Sequence, residues 1–120
     1  MVDAKFNKIK EYVLGKRYDL SVAFLTAPKM RAVTKKTKGT NHVSNVLSFP
    51  LSKTSGEILI CKSAAKPFTV EYLFIHGLCH LKGLKHGASM EAKEAQILKK
   101  FGLRQYAINS NRHRRRLASR

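Results

Sequence analysis

The chain has 120 residues, enough for one domain with one core and too few for two. Hydrophobic residues make up 43% of it, so most of it is expected to fold, and no run nears the roughly eighteen apolar residues of a membrane helix. Twenty-four Lys and Arg against seven acids give a net charge of +17, a poor match for a small neutral substrate and a good one for a polyanion, nucleic acid above all.

From the N-terminus, Phe6, Ile9, Tyr12 and Val13 recur at helical spacing and predict a short amphipathic helix over residues 4–14, ended by Gly15. Residues 20–25 alternate partially and predict a strand. Residues 27–37 predict a basic helix with Thr26 as N-cap and Pro28 in its first turn, and Gly39-Thr40-Asn41 makes a turn. A second strand over 43–49 is expected to stop at Pro50, and a third over 57–61 follows a turn-rich link over 51–56. The strongest helical pattern runs over 67–82, with Pro67 near its start and Glu71 in its first turn. Phe68, Tyr72, Phe74, Ile75, Leu78 and Leu81 make this helix apolar around most of its circumference, which places it at the centre of the domain. Ser89 opens a last helix over 89–100, closed by Phe101-Gly102. The order α-β-α-β-β-α-α belongs to the α+β class, a small mixed sheet packed with helices. Residues 1–106 are expected to form the single domain, and residues 107–120, which lose hydrophobic periodicity, a flexible basic tail.

The charge is unevenly spread. No acid lies between Asp19 and Glu57, a stretch that holds Lys35, Lys36 and Lys38, and none follows Glu94. The tail carries Arg112, Arg114, Arg115, Arg116 and Arg120, and is expected to hold RNA through its phosphates with little sequence preference. No helix sorts cleanly into a basic and an apolar face, which argues against a membrane surface as the anionic partner. The first residues lack the basic start and apolar run of a signal peptide, so a cytoplasmic chain is expected, with Cys61 and Cys79 as free thiols.

Three histidines fall within one short run, His76-Gly77-Leu78-Cys79-His80-Leu81-Lys82-Gly83-Leu84-Lys85-His86. His76 and His80 are one helical turn apart, so both imidazoles project from one face and can share a metal ion. Gly83 permits the left-handed conformation that ends a helix, and the chain then turns back and offers His86 as a third nitrogen ligand. Three protein ligands with a fourth position open is the plan of a catalytic zinc site, one ion per chain. The spacing is that of the long zinc-protease motif, in which a Glu after the first His acts as general base. Gly77 stands in that place, so peptide hydrolysis is disfavoured.

The run from His76 to His86 resembles the His-Gly-x-Leu-His-Leu-x-Gly-Tyr-Asp-His signature of the YbeY family of bacterial endoribonucleases. Asn45-Val46-Leu47-Ser48-Phe49-Pro50 is similar to that family's Thr-Asp/Asn-Val-Leu-Ser-Phe-Pro strand, and Gly56-Glu57-Ile58 to its Gly-Asp-Ile strand start. The resemblance spans about residues 20–100. It implies an α+β fold, zinc on His76, His80 and His86, and cleavage of single-stranded RNA. It further implies work on ribosomal RNA and the small ribosomal subunit, including the 3′ end of 16S rRNA. The chain departs from the pattern at Cys79, where Leu is usual, and at Leu84-Lys85, where Tyr-Asp precedes the third His. The family's Arg ahead of the Val-Leu-Ser-Phe-Pro strand maps onto Lys38, which neutralises a phosphate but cannot grip it bidentately.

On this reading a metal-activated water attacks RNA while Lys38 steadies the phosphate. Glu57 is a candidate acid or base, with a surface salt bridge as its alternative. Ser48 is a candidate contact to the RNA backbone, or else bonds its own. A monomer is expected. The rival from another class is a non-catalytic RNA- or ribosome-binding protein that keeps zinc for stability, which Lys85 and Lys38 favour slightly. A hydrolase acting on a small molecule leaves the charge unexplained.

Overall fold

A computed structural model of the chain describes residues 3–107. Its elements run α1 (Ala4–Leu14), β1 (Asp19–Phe24), α2 (Ala27–Lys38), β2 (Val46–Ser52), β3 (Ser55–Ile60), a single 3₁₀ turn (Lys62–Ala64), α3 (Val70–Leu81) and α4 (Ala88–Phe101). The α+β class and the element order match the expectation. The candidate tail residues Arg112, Arg114, Arg115, Arg116 and Arg120 lie outside the described residues.

The sheet has three strands in the order β1-β3-β2. β3 is central, parallel to β1 and antiparallel to β2, with Ile58 opposite Val22 on one side and Ser48 on the other. Residues alternate between its faces. Ile58 and Ile60 join the larger core cluster, with Phe74, Ile75 and Leu78 of α3, while Leu59 and Cys61 join a smaller one with Met30 of α2. Helix α3 lies on the first face and touches β2, β3, α1 and α4. Against α1 the packing is aromatic: the rings of Phe6 and Phe74 stack with centroids 4.3 Å apart. Helix α3 approaches the sheet closely because Gly77 lacks a side chain. A Cβ there would stand 3.0 Å from the end of Ile58.

Several element boundaries differ from the expectation: β2 opens at Val46 and not at residue 43, β3 runs Ser55–Ile60 and not 57–61, and two further differences have a clear physical cause. β2 does not stop at Pro50 but runs to Ser52, with Pro50 opposite Gly56, and joins β3 through a two-residue turn at Lys53-Thr54. The proline is tolerated because β2 is an edge strand, where a missing N–H need not break a ladder on both sides. The register also shifts between Pro50 and Ser52. Helix α3 begins at Val70, not at Pro67. Thr69 is its N-cap, and its hydroxyl accepts from the Tyr72 N–H at 3.0 Å. Pro67 instead lies in a turn, and Phe68 and Thr69 pair with the segment that follows α4, where the Thr69 N–H donates to the Gln105 carbonyl at 2.9 Å and the Ala107 N–H to the Pro67 carbonyl at 2.8 Å. Ala107, placed in the tail by its sequence, is thus still tied to the domain. Among the described residues no helix is long and apolar enough to cross a membrane.

Candidate metal centre

Helix α3 sets His76 and His80 one turn apart on its cleft side, and its C-terminus sets the third histidine. Gly83 has φ +104°, the left-handed region that favours glycine. Its N–H donates to the His80 carbonyl at 2.9 Å and the Leu84 N–H to the Cys79 carbonyl at 3.0 Å, the paired bonds of a Schellman motif. That turn reverses the chain and returns His86 to the helix face.

The three Nε2 atoms converge. They stand 3.2 Å apart between His80 and His76, 3.1 Å between His80 and His86, and 3.3 Å between His86 and His76. A tetrahedral zinc with nitrogen ligands at about 2.0–2.1 Å holds those nitrogens about 3.3–3.4 Å apart, so the donor set fits the ion. A mutual hydrogen-bond triangle is the poorer account, since each Nε2 either donates or accepts and three such atoms cannot all pair with one another. The lone pairs are moreover turned the right way. His76 Nδ1 lies 2.6 Å from Oε2 of Glu94, so Nδ1 holds the proton and Nε2 is left free to bind a metal. Burial first, and then the neighbouring His76 and His86, hold His80 below the usual histidine pKa, which favours the neutral, ligating form.

Glu94 is the residue that sequence reasoning missed. It sits on α4 and is 4% exposed, and its other oxygen accepts from the Tyr72 hydroxyl at 3.0 Å. The carboxylate raises the Tyr72 pKa, though burial of the phenol contributes more. A signal was present: Glu94 shares its helix face with Met90, Ile97 and Leu98, and an acid in an apolar stripe needs a partner. Cys79 lies behind the cluster as a buried thiol whose pKa is pushed up to about 11, chiefly by burial and next by Glu94, so it is no nucleophile at neutral pH.

The histidines border a cleft of about 560 Å³ between α3 and β2. Lys38, at the end of α2, and residues 45–50 line one side, while Phe68, Tyr72, His76 and His80 line the other. Ser48 lines the cleft and is half-buried. Lys35 and Lys36 are exposed on α2 and do not line it. Glu57 does not line it either. It shares the parity of Leu59 and Cys61, so it stands on the α2 face of the sheet, away from the histidines. The structure therefore brings Lys38 and Ser48 to the metal centre and leaves Glu57 outside. The carboxylate within reach is Glu94, and it is engaged by His76 and Tyr72.

Comparison with known proteins agrees with this geometry. The family model described as Endoribonuclease YbeY matches residues 2–106. The chain is similar to proteins named Endoribonuclease YbeY from Chromohalobacter salexigens, at 32% identity over 77% of this chain and 71% of the relative, and from Neorickettsia sennetsu, at 30% over 85% and 87%. Against that of Rubrobacter xylanophilus it is 34% identical over 68% of this chain and 63% of the relative. In fold it is similar to a Thermotoga maritima protein solved in solution, with a TM-score of 0.56 and 23% identity over 81% of this chain and 76% of that one.

Proposed function

The chain belongs to the YbeY endoribonuclease family, and on that premise we propose that it is a zinc-dependent, single-strand-specific endoribonuclease of ribosomal RNA maturation. Its substrate would be RNA of the small ribosomal subunit, including the 3′ end of 16S rRNA, in the cytoplasm, with the protein acting as a monomer. The observation that carries this reading is the convergence of three histidine nitrogens at 3.1, 3.2 and 3.3 Å on a cleft that Lys38 also lines.

His76, His80 and His86 would hold the ion, with the cleft side left open to substrate. When bound, zinc supplies a Lewis acid for a phosphoryl oxygen and lowers the pKa of water from 15.7 to about 7. The chain's own residues do the rest. Glu94 fixes the tautomer and the ring plane of His76. Lys38 offers an ammonium to the scissile or a neighbouring phosphate. Ser48 offers a hydroxyl at the cleft wall. Gly77 stands where the protease motif carries its glutamate base, and the one carboxylate at His76, Glu94, is engaged on Nδ1, so peptide hydrolysis is disfavoured.

The test is cleavage of a ribosomal RNA fragment by purified protein, with and without chelator, beside a His80→Ala control. We expect about one zinc per chain, as a three-histidine site requires, with most of it lost in His80→Ala. Cleavage should need the metal and should spare duplex RNA and peptides. Intact RNA with fully metal-loaded, folded protein would instead establish a binding protein that keeps zinc for stability.

A further inference from the structure

Three aromatic rings stand in a near-parallel row that starts at the metal centre. Tyr72 and Phe68 have centroids 5.0 Å apart with planes at 27°, and Phe68 and Tyr106 follow at 5.5 Å and 24°. At the inner end Tyr72 is 5.9 Å from the ring of His76. Phe68 and Tyr72 line the cleft. Tyr106 is the outer ring and is 54% exposed. It leaves more than half of its surface to solvent while Phe68 covers one side of it, so one ring face is open to a further stack.

The row is held rigidly. Phe68 and Tyr106 face each other as an antiparallel bridge pair. The backbone bonds from Thr69 to Gln105 and from Ala107 to Pro67 flank that pair, and the Thr69 hydroxyl donates to the Arg104 carbonyl at 2.7 Å. The backbone that carries Tyr106 is thus tied in place on both sides, and a partner that stacks on its ring has less to order.

We propose that Tyr106, backed by Phe68, is a stacking platform for an unpaired nucleobase of the RNA strand that occupies the cleft. The proposal rests on the reading of that cleft as an RNA site and gives it a second contact, of different chemistry. Lys38 addresses the phosphates. An aromatic face addresses the bases, whatever their identity, because every base has a π-face. Only an unstacked, unpaired base can present that face, so the platform selects single strands. The charge of +17 favours a nucleic-acid occupant over an aromatic side chain of another protein. The sequence continues past Tyr106 into the arginine-rich stretch that begins at Arg112, so cationic residues follow the platform along the chain.

The experiment measures binding of a short, phosphorothioate-linked, single-stranded oligoribonucleotide by fluorescence anisotropy. Zinc-loaded wild type is compared with Tyr106→Leu and Tyr106→Trp. A second set of oligomers carries one abasic position moved stepwise along the strand. Tyr106→Leu should weaken binding about five-fold or more, the lower end of what one stacked base contributes, and Tyr106→Trp should restore it. One abasic position should weaken wild type by a similar factor and leave Tyr106→Leu indifferent. Zinc content should be unchanged in both variants, and the loss of the Phe68 stack in Tyr106→Leu should lower the thermal midpoint by no more than several degrees, with the fold retained. Equal affinities of wild type and Tyr106→Leu for every oligomer would overturn the platform while leaving the RNA site standing. Failure of wild type to bind any oligomer would overturn both.

Discussion

Helices α3 and α2 cover opposite faces of one three-stranded sheet and are built from opposite chemistry. In α3 six residues are buried, Leu73, Phe74, Ile75, Gly77, Leu78 and Cys79, and of the half-buried polar side chains Tyr72, His76 and His80 line the cleft while Glu71 pairs with Lys5 of α1. In α2 only Met30 and Thr34 are buried, and Lys29, Arg31, Lys35, Lys36 and Lys38 are exposed. One helix is rigid because it is packed on the sheet and between two other helices, which is what a ligand set needs if its nitrogens are to stay in place. The other is a carrier of cations, whose attraction for a polyanion depends little on fine geometry. The two meet at Lys38, the last residue of α2, which lines the same cleft as His76 and His80. Geometry and long-range attraction are thereby divided between elements, and each can be altered without the other.

The largest effect should come from the packed side. Phe74 is fully buried and stacked on Phe6, so Phe74→Ala should cost about 3–5 kcal/mol of stability, read by chemical denaturation. A loss under about 1 kcal/mol would mean that α3 is not the rigid element described here. Next comes Glu94→Gln, which keeps the shape of the residue but removes the charge that holds the Nδ1 proton of His76. Zinc affinity should fall about 10- to 100-fold in a competitive chelator titration, with the fold retained. The smallest effect on the fold should come from Lys35→Ala with Lys36→Ala. Stability should stay within about 0.5 kcal/mol and zinc binding should not change. The slope of log K for single-stranded RNA against log salt should become shallower by up to about 1.4, two contacts at about 0.7 each. If zinc affinity fell with the lysines, or the salt slope with Glu94, the division between the helices would be wrong.

Much of this was legible in the residues. The histidine spacing and Gly83 predict the metal cluster because helical periodicity and a left-handed turn are local properties, set by neighbours in the chain. What escaped depends on contacts distant in sequence. Pro50 reads as a strand end unless one knows that β2 lies at the sheet edge, which is a fact of topology. Phe68 reads as the first apolar residue of a helix, while its partner is Tyr106, on the far side of α3 and α4. Glu57 attracts attention as a scarce acid next to a strand motif, but strand alternation turns it to the α2 face. Glu94 sits in the right stripe of α4, yet only the packing of α4 against α3 reveals His76 and Tyr72 as its partners.

The contact between Gly77 and Ile58 also bears on how such a protein can change over generations. In zinc proteases of similar spacing the position after the first histidine carries the glutamate that makes the site a peptidase. Here any side chain at that position runs into Ile58, whose atoms would lie 3.0–3.2 Å from its Cβ. A glutamate could enter only if the Ile58 side chain gave way by a few tenths of an ångström, and overpacking of this kind costs about 1–3 kcal/mol in a domain of marginal stability. A glutamate beside His76 is therefore opposed by the sheet itself, through its packing against α3.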